Sequence, residues 1–241
     1  MPEVPAHLEQ MFLALVAAVA ALFVSAQSRL GDPTTAQRVR GTLAGVLVVA
    51  AWLGVSGVLA ARGVLADFSR TPPAFVLMML GYFIATTALA FSPLGTKLVA
   101  HAPLAWLVGY QAFRAPLEFF LHASYQRGVI PVQMTWAGMN FDVITGVSAA
   151  ALALYAATRR PLPRALVLAW NCVGLALLAT IVTIALLSAP TPMRVFMNEP
   201  ANTIVAQLPY VWLPTFLVQA AWFGHLLVFR WLARTSRSAN A

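Results

Sequence analysis

Residues 41–61 read GTLAGVLVVAAWLGVSGVLAA and contain no charged side chain. An α-helix needs about 20 predominantly apolar residues to cross the hydrocarbon core of a bilayer, so this stretch predicts a transmembrane helix. The rest of the chain has the same character, because 61% of its 241 residues are hydrophobic and only 9% are charged. A soluble domain carries about 25% charged residues. The composition therefore predicts a membrane protein, and it excludes a nucleic-acid-binding domain, a disulfide scaffold and a disordered chain.

Six further apolar segments flank this stretch, and none alternates with the period of a barrel strand. We predict an all-α, polytopic bundle of seven transmembrane helices that forms a single domain over residues 1–241. The predicted spans are roughly 8–28, 41–61, 73–91, 103–124, 140–158, 164–188 and 209–233. The single cysteine, Cys172, excludes an intrachain disulfide, and its place inside an apolar run predicts a buried side chain.

Arginine and lysine residues indicate the side of the membrane on which each connection lies, because cytoplasmic loops are enriched in both. Ten basic residues fall on one side of the predicted bundle and four on the other. The larger group is Arg29, Arg38, Arg40, Lys97, Arg159, Arg160, Arg164, Arg230, Arg234 and Arg237, and the smaller group is Arg62, Arg70, Arg127 and Arg194. This asymmetry predicts an N-terminus outside and a C-terminus in the cytoplasm.

The fourth predicted span carries a polar stripe within the segment QAFRAPLEFFLH, residues 111–122. Helical spacing places five polar residues of this segment and the following turn within an arc of about 80°. They are Gln111, Arg114, Glu118, His122 and Tyr125. This stripe is expected to face protein or water. The opposite face is expected to meet lipid, and it carries Leu107, Phe113, Leu117 and Phe120.

Arg114 lies near the middle of this span, where a charge costs about 2.5–3.5 kcal/mol on insertion scales. That cost predicts a carboxylate partner, either Glu118 one turn further along or Asp142 at the outer end of the next span. Pro116 removes a backbone donor and is expected to kink the helix and open a cavity. An ionisable group inside a membrane commonly marks a functional site. A static ion network that holds the bundle together is the alternative.

The sequence thus predicts a polar site that opens outward. Its candidate ligand-binding or proton-coupling residues are Arg114, Glu118, His122, Asp142, Asn140, Gln111 and Asn202. We expect the loss of Glu118 to matter most, because it lies one turn from both a buried cation and a titratable imidazole. A soft Cu(I) site is an alternative use of the outer loops, with His122, Met134, Met139, Met193 and Met197 as ligands. No cofactor is predicted, since H-E-x-x-H, G-x-S-x-G and P-loop sequences are absent.

Three functions fit these features. The first is binding or transport of a small polar or anionic solute, or of protons, with Arg114 neutralising the ligand. The second is an intramembrane enzyme in which Glu118, His122 or Asp142 act as acid and base. The third is an accessory or sensory subunit with a structural ion network. The expected partners are the lipid bilayer and a small polar solute, with no nucleic acid, and oligomerisation is left open.

Three short sequences resemble those of a family of uncharacterised bacterial membrane proteins with seven helices. They are an R-x-P-x-E stretch at Arg114–Glu118, an M-T-x-x-G-x-N-x-D stretch at Met134–Asp142 and a W-L-P stretch at Trp212–Pro214. The resemblance covers roughly residues 105–232. It implies a multi-pass protein of the bacterial inner membrane and carries no known activity.

The charge asymmetry makes the orientation testable. A reporter enzyme fused at Arg237 should give a cytoplasmic signal, because the more basic side of a membrane protein stays in the cytoplasm. A matched fusion in the predicted outer loop, after Arg127, should give a periplasmic signal. Exchange of the two signals would show the opposite orientation.

Overall fold

The computed structural model describes residues 4–28, 34–158 and 161–239, with side chains described up to Thr235. Within these ranges the regular structure is helical and contains no strand, which confirms the all-α prediction. The helices are α1 (Ala6–Ser28), α2 (Thr35–Ala61), α3 (Ala74–Phe91), α4 (Pro93–His101), α5 (Leu104–Gly109), α6 (Arg114–Gln126), α7 (Val143–Ala157), α8 (Arg164–Ser188) and α9 (Val218–Ala239).

Five helical segments are long and apolar enough to cross a membrane. They are Ala6–Ser28, Thr35–Ala61, Ala74–Phe91, Arg164–Ser188 and Leu213–Thr235. The other two predicted spans differ from this pattern. Helix α7 is apolar but only 15 residues long. The fourth predicted span is interrupted, because a 3₁₀ turn at Tyr110–Phe113 separates α5 from α6.

The interruption of the fourth span coincides with Pro116, which lies in the first turn of α6. Proline has no backbone N–H, so the carbonyl of Ala112 loses the donor that a continuous α-helix would supply four residues later. The chain forms a tighter 3₁₀ turn just before this point. The structure thus shows a change of helix type before Pro116, where the sequence predicted a kink, and Arg114 directly follows the 3₁₀ turn.

Helix α4 was not predicted as a separate element. Its start carries two ordinary signals, since Ser92 accepts a hydrogen bond from the amide of Leu94 at 3.2 Å and Pro93 occupies the first turn. Arg230 on α9 donates to the hydroxyl of Thr96 on α4 at 2.7 Å. The hydrogen bond from Arg230 joins α4 to α9.

Two predictions about exposure are wrong. The face of α5 and α6 that was expected to meet lipid is buried, at Leu107, Phe113, Leu117 and Phe120. Helix α1 covers the α6 part of this face, with the rings of Phe12 and Phe120 centred 5.0 Å apart. Leu107 on α5 belongs to a separate apolar cluster that includes Leu227 on α9. Cys172, expected to be buried, is instead exposed on α8. An apolar run alone does not say which of its residues face neighbouring helices.

Side-chain contacts define the two ends of the bundle. The hydroxyl of Tyr210, just before α9, lies 3.5 Å from a carboxylate oxygen of Glu9 near the start of α1. At the other end of α9, the carbonyl of Leu232 accepts a hydrogen bond from Arg164 at 2.7 Å. The start of α1 and the end of α9 are thus at opposite ends. Of the basic residues used for orientation, Arg29, Arg159 and Arg160 and the side chain of Arg237 lie outside the described part of the chain.

Helices α6 and α7 approach closely at Gly146, and this contact gives a stability prediction. A Cβ at this position would lie 2.3 Å from the backbone nitrogen of Ala115. Gly146→Ala should therefore push the helices apart and lower the thermal unfolding midpoint in detergent, at a cost of about 1–3 kcal/mol.

The matched control for this change is Gly54→Ala on α2, where an added Cβ meets no atom within 4 Å. Alanine is about 1 kcal/mol better than glycine inside a helix, so this variant should be as stable as the parent protein or more stable. Equal unfolding midpoints for the two variants would contradict the close contact.

Candidate functional site

Four helices meet around Arg114, whose side chain is only 1% exposed. Arg114 is the first residue of α6, and Asp142 immediately precedes α7. Helix α8 contributes the backbone carbonyl of Gly174, and α9 contributes the imidazole of His225. The approach of α8 depends on glycine, because a Cβ at Gly174 would lie 2.7 Å from the His225 ring.

Arg114 uses all five of its N–H groups within the protein. Nε donates to Asp142 Oδ2 at 2.6 Å, and Nη2 donates to the other carboxylate oxygen of the same residue. Nη1 donates to His225 Nε2 at 2.8 Å, and both terminal nitrogens reach the Gly174 carbonyl at 3.3 Å. A planar guanidinium suits this two-point pairing with a carboxylate. The prediction that Arg114 pairs with an acidic residue is confirmed, and the partner is Asp142.

The contacts of His225 define its tautomer. A guanidinium can only donate, so His225 Nε2 must accept the hydrogen bond from Arg114. The remaining nitrogen, Nδ1, then carries the proton and donates to Asn171 Oδ1 at 2.8 Å. The amide of Asn171 donates to the backbone carbonyl of His225 at 3.2 Å. His225 is therefore a neutral ring fixed from both sides, and it orients the guanidinium.

Glu118 lies beside this pair but bonds to a different group. Both of its carboxylate oxygens contact the side-chain amide of Asn140, at 2.7 and 2.8 Å. The side-chain oxygen Oδ1 of Asn140 accepts a hydrogen bond from the backbone N–H of Asp142 at 3.1 Å. Asn140 therefore links the two acidic residues, and each of the three is at most 3% exposed.

Few hydrogen-bond donors reach the carboxylate of Glu118. The Asn140 amide has two hydrogens, and it also donates to the carbonyl of Met134 at 3.1 Å. In the described part of the chain no other group donates to Glu118. A charged carboxylate has about four acceptor positions, and a buried one is costly unless they are filled. Glu118 is thus the least satisfied member of the network, whereas Arg114 is fully satisfied.

Other residues of the predicted stripe lie apart from this network. Gln111 is buried and donates to the carbonyl of Ala221 on α9 at 2.9 Å. His122 is half-buried and stacks on Trp136, with ring centroids 4.3 Å apart. The Nδ1 atom of His122 is buried without a hydrogen-bond partner. Tyr125 packs against His122 near the end of α6. The helical stripe therefore divides into a buried inner part and a partly exposed outer part.

The outer connections are joined to each other by amide side chains. Gln133 Nε2 donates to the hydroxyl of Ser188 at 2.8 Å, and Asn198 Nδ2 donates to the side-chain oxygen Oε1 of Gln133 at 2.7 Å. Asn202 donates to the carbonyl of Ala185 at 3.0 Å and lines a separate apolar cavity. These contacts give the outer polar residues a role in folding the loops, and Asn202 does not join the network around Arg114.

The alternative copper site has little support from burial. Met134 belongs to the main apolar cluster and is 1% exposed, whereas Met139, Met193 and Met197 are between 41% and 71% exposed. Among the described residues no group of three or more His, Cys, Asp or Glu side chains could hold a metal ion. The differing exposure of the methionines does not favour a shared sulfur site.

Comparison with known proteins places the chain in a family. A family model described as "Domain of unknown function (DUF8737)" matches residues 71–233, which is more than half of the chain. The chain belongs to this family. No curated protein and no solved structure matches it. The DUF8737 match includes every residue that contacts Arg114 and leaves out α1 and α2. The description assigns no activity, and it is compatible with the resemblance drawn from the sequence.

Three residues of the network around Arg114 were not among the site residues predicted from the sequence: Asn171, Gly174 and His225. Asn171 and His225 are polar residues inside apolar spans. Such residues usually face the inside of a bundle, so their position could have identified both as site residues. Gly174 contributes only its backbone carbonyl and the space that a side chain would fill. No sequence signal distinguishes it from other helical glycines.

Exposed ion pairs provide a contrast with the buried one. Asp67 pairs with Arg70 at 2.8 Å on the surface. Hydrogen bonds from Ser69 and then from Arg70 hold the pKa of Asp67 below its usual value. Arg194 and the amide of Ala201 likewise lower the pKa of Glu199. Solvent screens such exposed pairs, so they contribute little to stability.

The buried pair predicts strong coupling between two substitutions. Asp142→Asn and Arg114→Gln should each destabilise the protein by about 3–5 kcal/mol, because each leaves a buried charge without its partner. The double variant should cost clearly less than the sum. Chemical unfolding in detergent, followed by tryptophan fluorescence, measures all three.

Asp67→Asn is the control for these two substitutions, since it removes one partner of an exposed ion pair. It should leave the unfolding curve unchanged within error. Additive effects of Arg114→Gln and Asp142→Asn would show that the two side chains do not depend on each other.

Proposed function

We propose that this chain is an integral protein of the bacterial inner membrane that crosses the bilayer seven times. Five apolar helices support the membrane assignment. Residues 104–126 supply a sixth crossing through α5, the 3₁₀ turn and α6, and α7 supplies the seventh. The opposite positions of the two described chain ends agree with an odd number of crossings. The ten-to-four distribution of basic residues supports an external N-terminus and a cytoplasmic C-terminus.

We further propose that the central network binds a proton at Glu118. The observation that carries this proposal is the number of charges in the network, because two buried carboxylates accompany one guanidinium. Asp142 takes the direct pairing with Arg114, and Glu118 receives only the shared amide of Asn140. A proton on Glu118 makes the network neutral. It also supplies an O–H donor, which a charged carboxylate lacks.

The same contacts favour a proton over an anionic solute as the species that the network holds. An anion would need N–H groups from Arg114, and all five already have partners. Displacing Asp142 would leave one buried carboxylate without its cation, which is costly. A proton needs no such displacement, because it binds directly to the Glu118 carboxyl.

His122 offers a connection between Glu118 and the outer side. It lies one helical turn beyond Glu118 on α6, and its ring is half-buried against Trp136. Gln126 Nε2 donates to His122 Nε2 at 3.2 Å, so Nδ1 carries the proton of the neutral ring. This buried N–H has no hydrogen-bond partner in the protein and is a donor that a water molecule would satisfy. The two nitrogens of an imidazole can take up a proton at one position and release one at the other, which suits the transfer of a proton between water and a buried acid.

In this proposal the protein uses protonation of Glu118 to drive the binding or transport of a small polar solute, or of protons alone. The Arg114–Asp142 pair and His225 keep their positions. The Asn140 side chain contacts both Glu118 and the backbone N–H of Asp142, so a change of charge at Glu118 acts on the start of α7. Access of protons from the outer side to Glu118 is the property that distinguishes this function from a static network. A static network would hold Glu118 in one protonation state.

Infrared spectroscopy of the purified protein tests the proton directly. At neutral pH the parent protein should show a carbonyl band of a protonated carboxylic acid, and Glu118→Gln should lack it. The band should shift in D₂O, because a proton that reaches the outer side exchanges with solvent. A proton-linked function also predicts that the band decreases as the pH is raised.

Glu199→Gln is the matched control, because Glu199 is exposed and its lowered pKa keeps it ionised at neutral pH. This variant should keep the band. Absence of the band in the parent protein would refute the proton site. A band that neither exchanges in D₂O nor responds to pH would instead support a structural network.

A further inference from the structure

A lateral cleft among α1, α2, α3 and α9 shares no lining residue with the charged network. Its volume is about 450 Å³, counting the open space at its mouth. Most of its lining is apolar, with Phe23 from α1, Trp52 from α2 and Phe223 from α9. None of the described residues that line it carries a charge. The cleft is therefore suited to an uncharged molecule with a large apolar part.

The position of the cleft gives it access from the surface of the bundle. Helices α2 and α3 approach each other at Trp52 and Tyr82, where the Tyr82 hydroxyl donates to the Trp52 carbonyl at 2.7 Å. The backbones of α2 and α3 otherwise make little close contact. Val48, which lines the cleft, is 44% exposed on α2. In a bilayer this opening would face the hydrocarbon rather than water.

Two polar atoms in the lining have no hydrogen-bond partner. They are Thr86 Oγ1 on α3 and Gln219 Oε1 on α9, in side chains that are 3% and 2% exposed. Gln219 Nε2 donates to the carbonyl of Pro214 at 3.2 Å, which fixes the orientation of its amide. Leaving a buried polar group unpaired costs about 1–3 kcal/mol. Two such groups in one apolar cleft indicate a missing partner.

The chemistry of these two atoms defines the partner. Gln219 Oε1 can only accept, so the partner must donate a hydrogen bond. The Thr86 hydroxyl can both donate and accept. A hydroxyl group has the chemistry that both atoms require, since it can donate to the amide oxygen and accept from the threonine. A quinone carbonyl would leave the amide oxygen unpaired, and a phosphate would bring a charge into a cleft without a cation.

We propose that this cleft binds an uncharged amphiphile, with its hydroxyl between Thr86 and Gln219 and its hydrocarbon part against Phe23, Trp52 and Phe223. The ligand class is a membrane-soluble alcohol. It enters sideways between α2 and α3. This site is independent of the proton site at Glu118, and it lies partly on α1 and α2, outside the matched DUF8737 region.

Photolabelling tests the proposal with the full-length protein in phosphatidylcholine nanodiscs. The probe is hexadecanol that carries a diazirine in its chain, and mass spectrometry locates the labelled peptides. Labels should concentrate on α2, α3 and α9 around Val48, Thr86 and Phe223. Unlabelled hexadecanol should compete, and its methyl ether, which cannot donate, should compete roughly fivefold less well.

Substitutions separate hydroxyl recognition from simple apolar filling. Thr86→Val and Gln219→Met should each weaken competition by hexadecanol roughly fivefold, the effect of one lost hydrogen bond. Thr180→Val is the control, because Thr180 is an exposed threonine on α8 that bonds only to its own helix. It should leave competition unchanged. Ala220→Phe should fill the cleft and abolish the labelling there.

Two results would overturn the proposal. Labels spread evenly over the outer faces of the helices would show that the cleft does not hold the probe. Equal competition by the alcohol and the ether, with Thr86→Val unchanged, would show that the cleft holds only hydrocarbon chains. Thr86→Val keeps the test decisive if Gln219→Met does not accumulate, because the Thr86 hydroxyl makes no hydrogen bond that supports the fold.

Discussion

A guanidinium buried among apolar helices must have every donor paired, and the arrangement of α6 to α9 follows from that requirement. Arg114 obtains two carboxylate oxygens from the start of α7, a carbonyl from α8 and a ring nitrogen from α9. No single helix could supply these groups. The polar network therefore fixes the position of the four helices relative to one another, whereas apolar packing alone would tolerate many arrangements.

Small residues allow these helices to come close enough for the contacts to form. Gly146 on α7 lies against the backbone of α6 at Ala115, one residue after Arg114. Gly174 on α8 leaves room for the ring of His225 and exposes its own carbonyl to the guanidinium. In lipid the hydrophobic effect does not drive helices together, so close packing at small residues and hydrogen bonds between helices become more important. Both are concentrated here around one arginine.

The sequence predicted much of this fold and part of the site. Length and hydropathy located the long helices, because those properties are local, and the cost of a buried charge identified Asp142 as a candidate partner for Arg114. A helical-wheel argument could not predict which side of α6 meets lipid, because it assumes that lipid lies opposite the polar stripe. Helix α6 is covered on both faces, so Leu117 and Phe120 are buried. The role of His225 depended on the packing of α9, which no local pattern specifies.

The unequal satisfaction of the buried charges bears on why the network exists. If its purpose were only to hold the bundle together, the Arg114–Asp142 pair would suffice, and a second buried carboxylate would add cost without adding a contact to the cation. Glu118 is nevertheless placed beside the pair, with Asn140 joining its carboxyl to the backbone of Asp142. In the proposed function, this arrangement transmits a change of charge at Glu118 to the start of α7. A group that is both poorly satisfied and mechanically connected is suited to change its state, whereas Arg114 is suited to keep it.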